Sequence, residues 1–524
     1  MNFKGEKALK RFLTAILSVL LILGLVGCEK DTGSTQAGKE KTLAVGTNFF
    51  GPTLDPHSDY DGWYVVRYGV GETLIHINDK MEAQPCLATK WELVDDKTWK
   101  ITIRENVKFH NGSLMTPDSV KNSLLRSAKV NRRGPSVLNI ASIDVKGQDV
   151  IIHTKEPRPN LIYELSDPFC TIVDTKAADE NPEAFKKGAI CTGPFKVKEF
   201  KDKISATVVA FDQYWGEKAK IKTAVFRNLS DPDTRMMALQ SGEVDASINI
   251  DSKNLSLFKD EKKYIISKHP SMRSTYLFFN TKNKFLKDKN LRRALIMAAD
   301  KDSYINTVMG GVGVKGICLY PSFLPYNNDA LKTLPYDLDG AKKILADNGY
   351  VDNNGDGFVE KDGQTVELLI SAYTSRAEIP AFATALQADF SKLGVKTTIK
   401  TYDELPRKQF SSGDYDIGFT GFSSTTNGRP LQGLTTAFVK DGIENYYNYF
   451  YSERIEDIAR QLSVESDIAK QNKLAFQAQQ EILDACTNIF LCSTENLYVS
   501  NSRVKNFKAH ALDYYVLDNQ VDVE

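Results

Sequence analysis

Twice in this chain a strand, a helix and a strand follow closely enough to form a βαβ unit, and that alternation argues for α/β lobes rather than an all-helical or all-β fold. Between Ile221 and Ile250, residues 235–241 read as helix and 244–248 (Val-Asp-Ala-Ser-Ile) as a buried strand. The second unit predicts a helix over 338–348, a strand over 366–371, a helix over 379–393 and a strand over 395–402. A length of 524 residues with an ordinary 42% of hydrophobic residues exceeds what one core serves, so two or more lobes are expected.

Ahead of the first unit, residues 91–112 read as a hairpin leading into a capped helix. Leu93, Trp99, Ile101 and Ile103 alternate with polar residues, 95–97 (Asp-Asp-Lys) turn, Asn111-Gly112 supplies a second turn, and Thr116-Pro117-Asp118 is an N-cap followed by proline at N1. The helical pattern continues to Asn131 and is broken by Arg132-Arg133-Gly134-Pro135. On spacing alone the two arginines complement the helix dipole and face water. Residues 143–154 alternate as another hairpin, with Gly147 at its turn. A short apolar strand at 42–46 is followed by a loop, 54–57, with the aromatics Tyr60, Trp63 and Tyr64, and loops beyond strand carboxyl ends are where α/β folds take ligands.

The amino terminus reads as an export signal. Lys4, Lys7, Lys10 and Arg11 precede an apolar run over 12–25, too short for a comfortable membrane span. Leu25-Val26-Gly27-Cys28 resembles a lipobox, so residues 1–27 are expected to be removed and Cys28 acylated, with 28–41 a polar tether. Sixty-seven basic residues balance 67 acidic ones, which argues against a nucleic-acid footprint. Cys86, Cys170, Cys191, Cys318, Cys486 and Cys492 permit disulfides in an exported chain and show no CxxC metal pattern.

Several landmarks stand in one order: 91–112, then 191–195 (Cys-Thr-Gly-Pro-Phe), 214–217 (Tyr-Trp-Gly-Glu), 231–235 (Asp-Pro-Asp-Thr-Arg), 291–295 (Leu-Arg-Arg-Ala-Leu), 336–341 (Tyr-Asp-Leu-Asp-Gly-Ala) and Gly349-Tyr350. In these the chain resembles the family 5 extracytoplasmic solute-binding proteins, the peptide- and nickel-type receptors of ABC importers. The resemblance implies an α/β, two-lobed periplasmic-binding-protein-like fold (class II, cluster C type) with mixed sheets and a two-strand hinge. Residues 276–280 resemble the family's first crossover strand, a helix over 291–309 follows, and the return crossing is expected near 489–498. Lobe I is then 42–272 and 493–524, and lobe II is 273–492. The resemblance also implies a non-catalytic monomer, lipid-anchored to the outward face of the bacterial cell membrane, that delivers its ligand to permease and ATPase subunits.

Peptide-binding members hold the peptide ammonium with an aspartate in a lobe II loop. The matching stretch here, 421–430, contains no acid and offers Arg429, whose planar fork suits carboxylates. Nickel- and opine-metallophore-type members place an arginine just after the first lobe I helix, where Arg132 and Arg133 stand, and that resemblance turns the pair toward a ligand role. No arginine lies at 164–169, where nickel-type members use a second one, and their lobe II histidine has no counterpart. The six histidines are not spaced as a metal pair, so no intrinsic cofactor or protein-held metal is expected, and a transition metal must arrive already chelated. The ligand expected is a carboxylate-rich metal chelate, the alternative an oligopeptide or dipeptide. Its predicted contacts are Arg133, Arg429, Arg132, Trp63, Tyr60, Tyr64, Phe422, Asn427 and Tyr446.

Two further motifs give weak signals. Gly311, Gly313 and Gly316 fit GxGxxG but follow a helix, against a dinucleotide loop. Asp352, Asn354, Asp356 and Gly357 match the front of a calcium loop, but Gly363 stands where a bidentate glutamate is required, so a β-turn is the expectation. GxSxG and HExxH are both absent, which argues against a hydrolase.

Overall fold

A computed structural model of the chain describes residues 40–524 apart from 49, 328, 329, 377, 443, 444 and 446–448. Cys28 and Tyr446 lie outside the described residues. The Thr116 hydroxyl accepts from the Ser119 amide at 3.2 Å while the Ser119 hydroxyl accepts from the Thr116 amide at 2.8 Å, a reciprocal cap that starts a helix over Pro117–Val130. Val120, Leu124 and Ser127 form its buried face. The strands Ala88–Asp95, Thr98–Ile103, Asp149–Thr154 and Ile140–Lys146 pair antiparallel beside it, so both expected hairpins form.

The main sheet runs through the molecule in the order Lys396–Tyr402, Glu367–Tyr373, Ile417–Ser423, Tyr264–Phe279, Asn488–Asn501, Ala246–Ile248, Thr42–Thr47, Thr223–Asn228, Ser205–Ala210, Phe195–Lys201. Parallel and antiparallel pairs are mixed, as in α/β folds that add strands to a βαβ core. The fold is two-lobed α/β. One apolar core gathers Val45, Phe195, Phe226, Tyr498 and Val516, and another gathers Leu277, Leu295, Ile370, Phe382 and Leu491. Two long antiparallel strands, Tyr264–Phe279 and Asn488–Asn501, run side by side between them. Their register breaks between Pro270 and Ser274, where the first strand carries extra residues after a proline, and again between Thr275 and Tyr276, where the partner strand carries Leu491 as an extra residue.

The expected helix over 291–309 is two helices, Lys289–Ala298 and Lys301–Thr307. Ala299 is extended, and the Asp300 carboxylate accepts from the Ser303 amide at 3.0 Å, so a second N-cap interrupts an otherwise helical pattern. The first crossing strand begins at Tyr264, earlier than the apolar run at 276–280 suggests, because its first half is polar on one side and half-buried. Gly311 and Gly313 follow the second of the two helices and precede the two-residue strand Val314–Lys315, which does not fit a dinucleotide loop. All six cysteines of the described residues are free thiols.

Candidate ligand-binding cleft

Two chain segments reach the gap between the lobes because an ordered element ends just before each. The first is the end of the Pro117–Val130 helix. Asn131 is extended there, its Nδ2 donates to the carbonyls of His57 (3.2 Å) and Asp59 (2.7 Å), and its Oδ1 accepts from the Arg133 amide (3.0 Å). This clasp sends the two arginines in different directions. Arg132 lies outward, its side chain 70% exposed, with Nε 2.8 Å from Asp59, and it lines neither of the two cavities that hold the other expected contacts. Arg133 turns inward with its side chain 19% exposed, pairs with Asp167, and lies over the rings of Phe169 (4.9 Å) and Tyr60 (5.3 Å). Burial opposes its charge, but the Asp167 carboxylate more than offsets this and holds the guanidinium above the usual arginine value.

The second segment is the loop after strand Ile417–Ser423. Gly428 has φ +79° and a Cβ there would lie 2.5 Å from the Met81 Cβ, so this turn needs glycine. Tyr326 Oη donates to the Gly428 carbonyl (3.0 Å) and Tyr514 Oη to the Thr426 carbonyl (3.1 Å), pinning the loop from two sides. Asn427 Oδ1 accepts from the Arg429 amide at 3.1 Å. Arg429 is thereby buried, 4.7 Å over the Tyr163 ring with Nη1 3.5 Å from Gln471 Oε1.

Arg133, Arg158, Asn427 and Arg429 line one cavity of about 190 Å³. Arg133 Nη1 and Arg429 Nε are buried without a hydrogen-bond partner. Glu164, on the same wall, lies 3.5 Å from Arg158 and is pushed up to about 7 by burial, against the pull of that arginine. A larger cavity of about 590 Å³ is lined by Tyr60, Trp63 and Tyr64 from one side, Phe422, Arg273 and Arg407 from the other, with Arg67 and Asp513. Trp63 packs edge-on against Tyr514 with centroids 5.3 Å apart. Burial among neighbours that include the Arg376 guanidinium pulls Arg273 below the usual arginine value.

A third cavity of about 540 Å³ brings Asp79, Tyr163, His269 and Arg429 together. The rings of His269 and His510 stack at 6.1 Å, His76 lies 6.4 Å from His510, and Asp79 Oδ1 is 3.1 Å from His510 Nε2. Burial depresses His510 to about 4, so it is neutral at physiological pH. The four side chains do not converge to metal-binding distances. Among the described residues only Asp352, Asp356 and Glu360, outside these cavities, do so.

Residues 82–445 match the bacterial extracellular solute-binding proteins, family 5 (middle). The chain belongs to that family. It is the solute-binding protein of an ABC importer and not an enzyme, and such proteins work with permease and ATPase subunits. It is 24% identical over 512 residues to the nickel-binding protein NikA of Staphylococcus aureus, covering 98% of this chain and 99% of that one. It is 26% identical to the dipeptide-binding protein of Escherichia coli, covering 94% of each. Among solved structures, it is similar to a nickel ABC transporter from Bacillus halodurans, at 27% identity and a TM-score of 0.81 over 92% of this chain and all of that one.

Of the expected contacts of this solute-binding protein, Arg133, Asn427 and Arg429 share the small cavity, while Tyr60, Trp63, Tyr64 and Phe422 share the larger one. Reading the sequence missed Arg158, Arg273, Arg67, Arg407 and the histidine trio. Arg273 sits where the crossing strand loses register, a position marked only by Pro270 and a polar break in an apolar strand. His76, His269 and His510 come from distant parts of the chain, and no spacing announces them.

Proposed function

We propose that the protein captures a carboxylate-rich chelate of a transition metal between its lobes and delivers it to a permease. The observation that carries this reading is that Arg133 and Arg429, from two separate segments, line one cavity, and that each keeps a buried guanidinium nitrogen, Nη1 and Nε, without a hydrogen-bond partner. Guanidinium groups on the wall of such a cavity suit a ligand's carboxylates. Arg273 adds a third guanidinium in the larger cavity, whose aromatic walls suit a ligand of several rings or methylenes. The nickel-binding name of the Staphylococcus aureus relative favours a metal as the cargo. Lobe I, in this reading, is 42–272 with 493–524 and lobe II is 273–492, hinged where the long strands lose register. Residues 1–27 are a lipoprotein signal, and Cys28 anchors the monomer outside the cell membrane through a tether ending at 41.

Calorimetry tests the ligand class. Bare Ni²⁺ binds weakly and Ni²⁺ with citrate or a larger polycarboxylate binds at least tenfold more tightly; tight binding of the bare ion overturns the proposal. A second reading, a peptide receptor, is favoured by Asp513, which offers the larger cavity an acid for an ammonium group. Native mass spectrometry of purified protein decides between them, since a heterogeneous ladder of co-purified peptides excludes the chelate.

A further inference from the structure

We propose that residues 352–360 form a calcium site that stabilises the second lobe, independent of the cleft. The antiparallel bridge between Val351 and Glu360 closes this segment into a loop, with amide–carbonyl hydrogen bonds of 3.2 and 2.9 Å. Inside it, one carboxylate oxygen from each of Asp352, Asp356 and Glu360 lies within 4.8 Å of the other two. Oxygens bound to one calcium ion at about 2.4 Å are at most about 4.8 Å apart, so the three fit one ion.

Gly363 cannot supply the final carboxylate of the usual loop, and Glu360, three residues earlier, folds inward in its place. Glu360 is 7% exposed. Its Oε2 accepts from the amide and side-chain nitrogens of Asn353 at 2.8 and 3.0 Å, while its Oε1 is buried with no hydrogen-bond partner. A buried carboxylate oxygen with nothing to bond to, beside two other carboxylates, is costly unless a cation joins it. Among the described residues no lysine or arginine forms an ion pair with Glu360, and Lys361, next in the chain, donates to the Asn348 carbonyl at 2.6 Å.

The remaining polar atoms hold the acids in place. Asp352 accepts from the amides of Gly355 (2.7 Å) and Gly357 (2.9 Å), and Asp356 from the amide of Phe358 (2.8 Å). Asn354 Oδ1 accepts from the Asp356 amide (2.8 Å) and retains a lone pair. An all-oxygen donor set with three carboxylates selects a hard ion, and calcium, which accepts varied coordination geometry, suits it better than magnesium, which demands a near-ideal octahedron. The loop lies between helix Leu338–Asp347 and strand Glu367–Tyr373, and Val359 bonds to the Gly394 carbonyl at 2.8 Å, so an ion here ties three parts of the lobe together.

The test is equilibrium dialysis with radioactive calcium on the purified protein, alongside melting with CaCl₂, MgCl₂ or EGTA. One calcium per chain is expected, with a Kd of about 10⁻⁴ to 10⁻³ M, and a melting temperature raised by roughly 2 °C or more at 10 mM CaCl₂, less by MgCl₂. Glu360→Gln and Asp352→Asn each weaken calcium at least tenfold, yet in EGTA Glu360→Gln melts no lower than the parent, because it relieves carboxylate repulsion. Cleft-ligand binding is unchanged in both. Absence of saturable calcium binding below about 10 mM, or binding retained in both variants, overturns the site.

Discussion

Truncating Arg133 leaves the Asp167 carboxylate buried without its partner, and truncating Arg429 strips the opposite wall of the same cavity. Each alanine variant is expected to weaken chelate binding by about 2 to 5 kcal/mol, read by calorimetry, whereas the exposed Arg132→Ala changes it by less than about 1 kcal/mol. Arg133→Lys does not restore affinity, because an ammonium keeps the charge but loses the fork. Equal effects at Arg132 and Arg133 would refute the inward assignment. The sequence places both arginines at a helix end, but which one turns inward depends on Asn131 bonding to the distant carbonyls of His57 and Asp59, and no local pattern encodes that. Glu164 gives a pH signature. Its pKa is raised to about 7 from an ordinary 4.5, so the folded state holds the proton more tightly than the unfolded chain. Its favourable contribution is therefore complete below about pH 4.5 and lost as pH rises through about 7. Melting curves between pH 5 and 8 should show a decline that Glu164→Gln flattens, the variant being the more stable at pH 8.

At the scale of elements, the loop over 424–430 is held by tyrosines from two directions and turns at a glycine that admits no side chain. Gly428→Ala is expected to displace the loop from Met81 and lower chelate affinity at least tenfold, with a melting temperature reduced by only a few degrees. Unchanged affinity in calorimetry would show that Arg429 does not depend on this turn. The periodic elements were legible: both βαβ units, both hairpins and the Thr116 cap follow from local patterning. The break at Asp300 was not, since helical periodicity continues across it and a single capping side chain decides the geometry. The cluster of His76, His269 and His510, of which His269 lines the 540 Å³ cavity, was equally invisible, because long-range topology alone assembles it.

Across the whole molecule, two long strands with interrupted register run side by side, and hydrogen bonds such as Gln471 to Asn160 (2.9 Å) and Tyr514 to Thr426 join segments far apart in the chain. Small-angle scattering of the Arg133→Ala, Arg429→Ala double variant should show a molecule that stays extended when a nickel polycarboxylate is added, while the parent contracts. Cys28→Ala should release the protein from membranes with its melting temperature unchanged, which fractionation checks. The thiols of the folded core have a practical consequence. Burial raises Cys86, Cys170 and Cys191 well above the ordinary thiol value, lifts Cys318 and Cys492 to about 12, and raises Cys486 as well. A thiol with so little thiolate reacts slowly with maleimides. Fluorophores attached to one new surface cysteine on each lobe can therefore report opening and closing in real time without first removing the native ones.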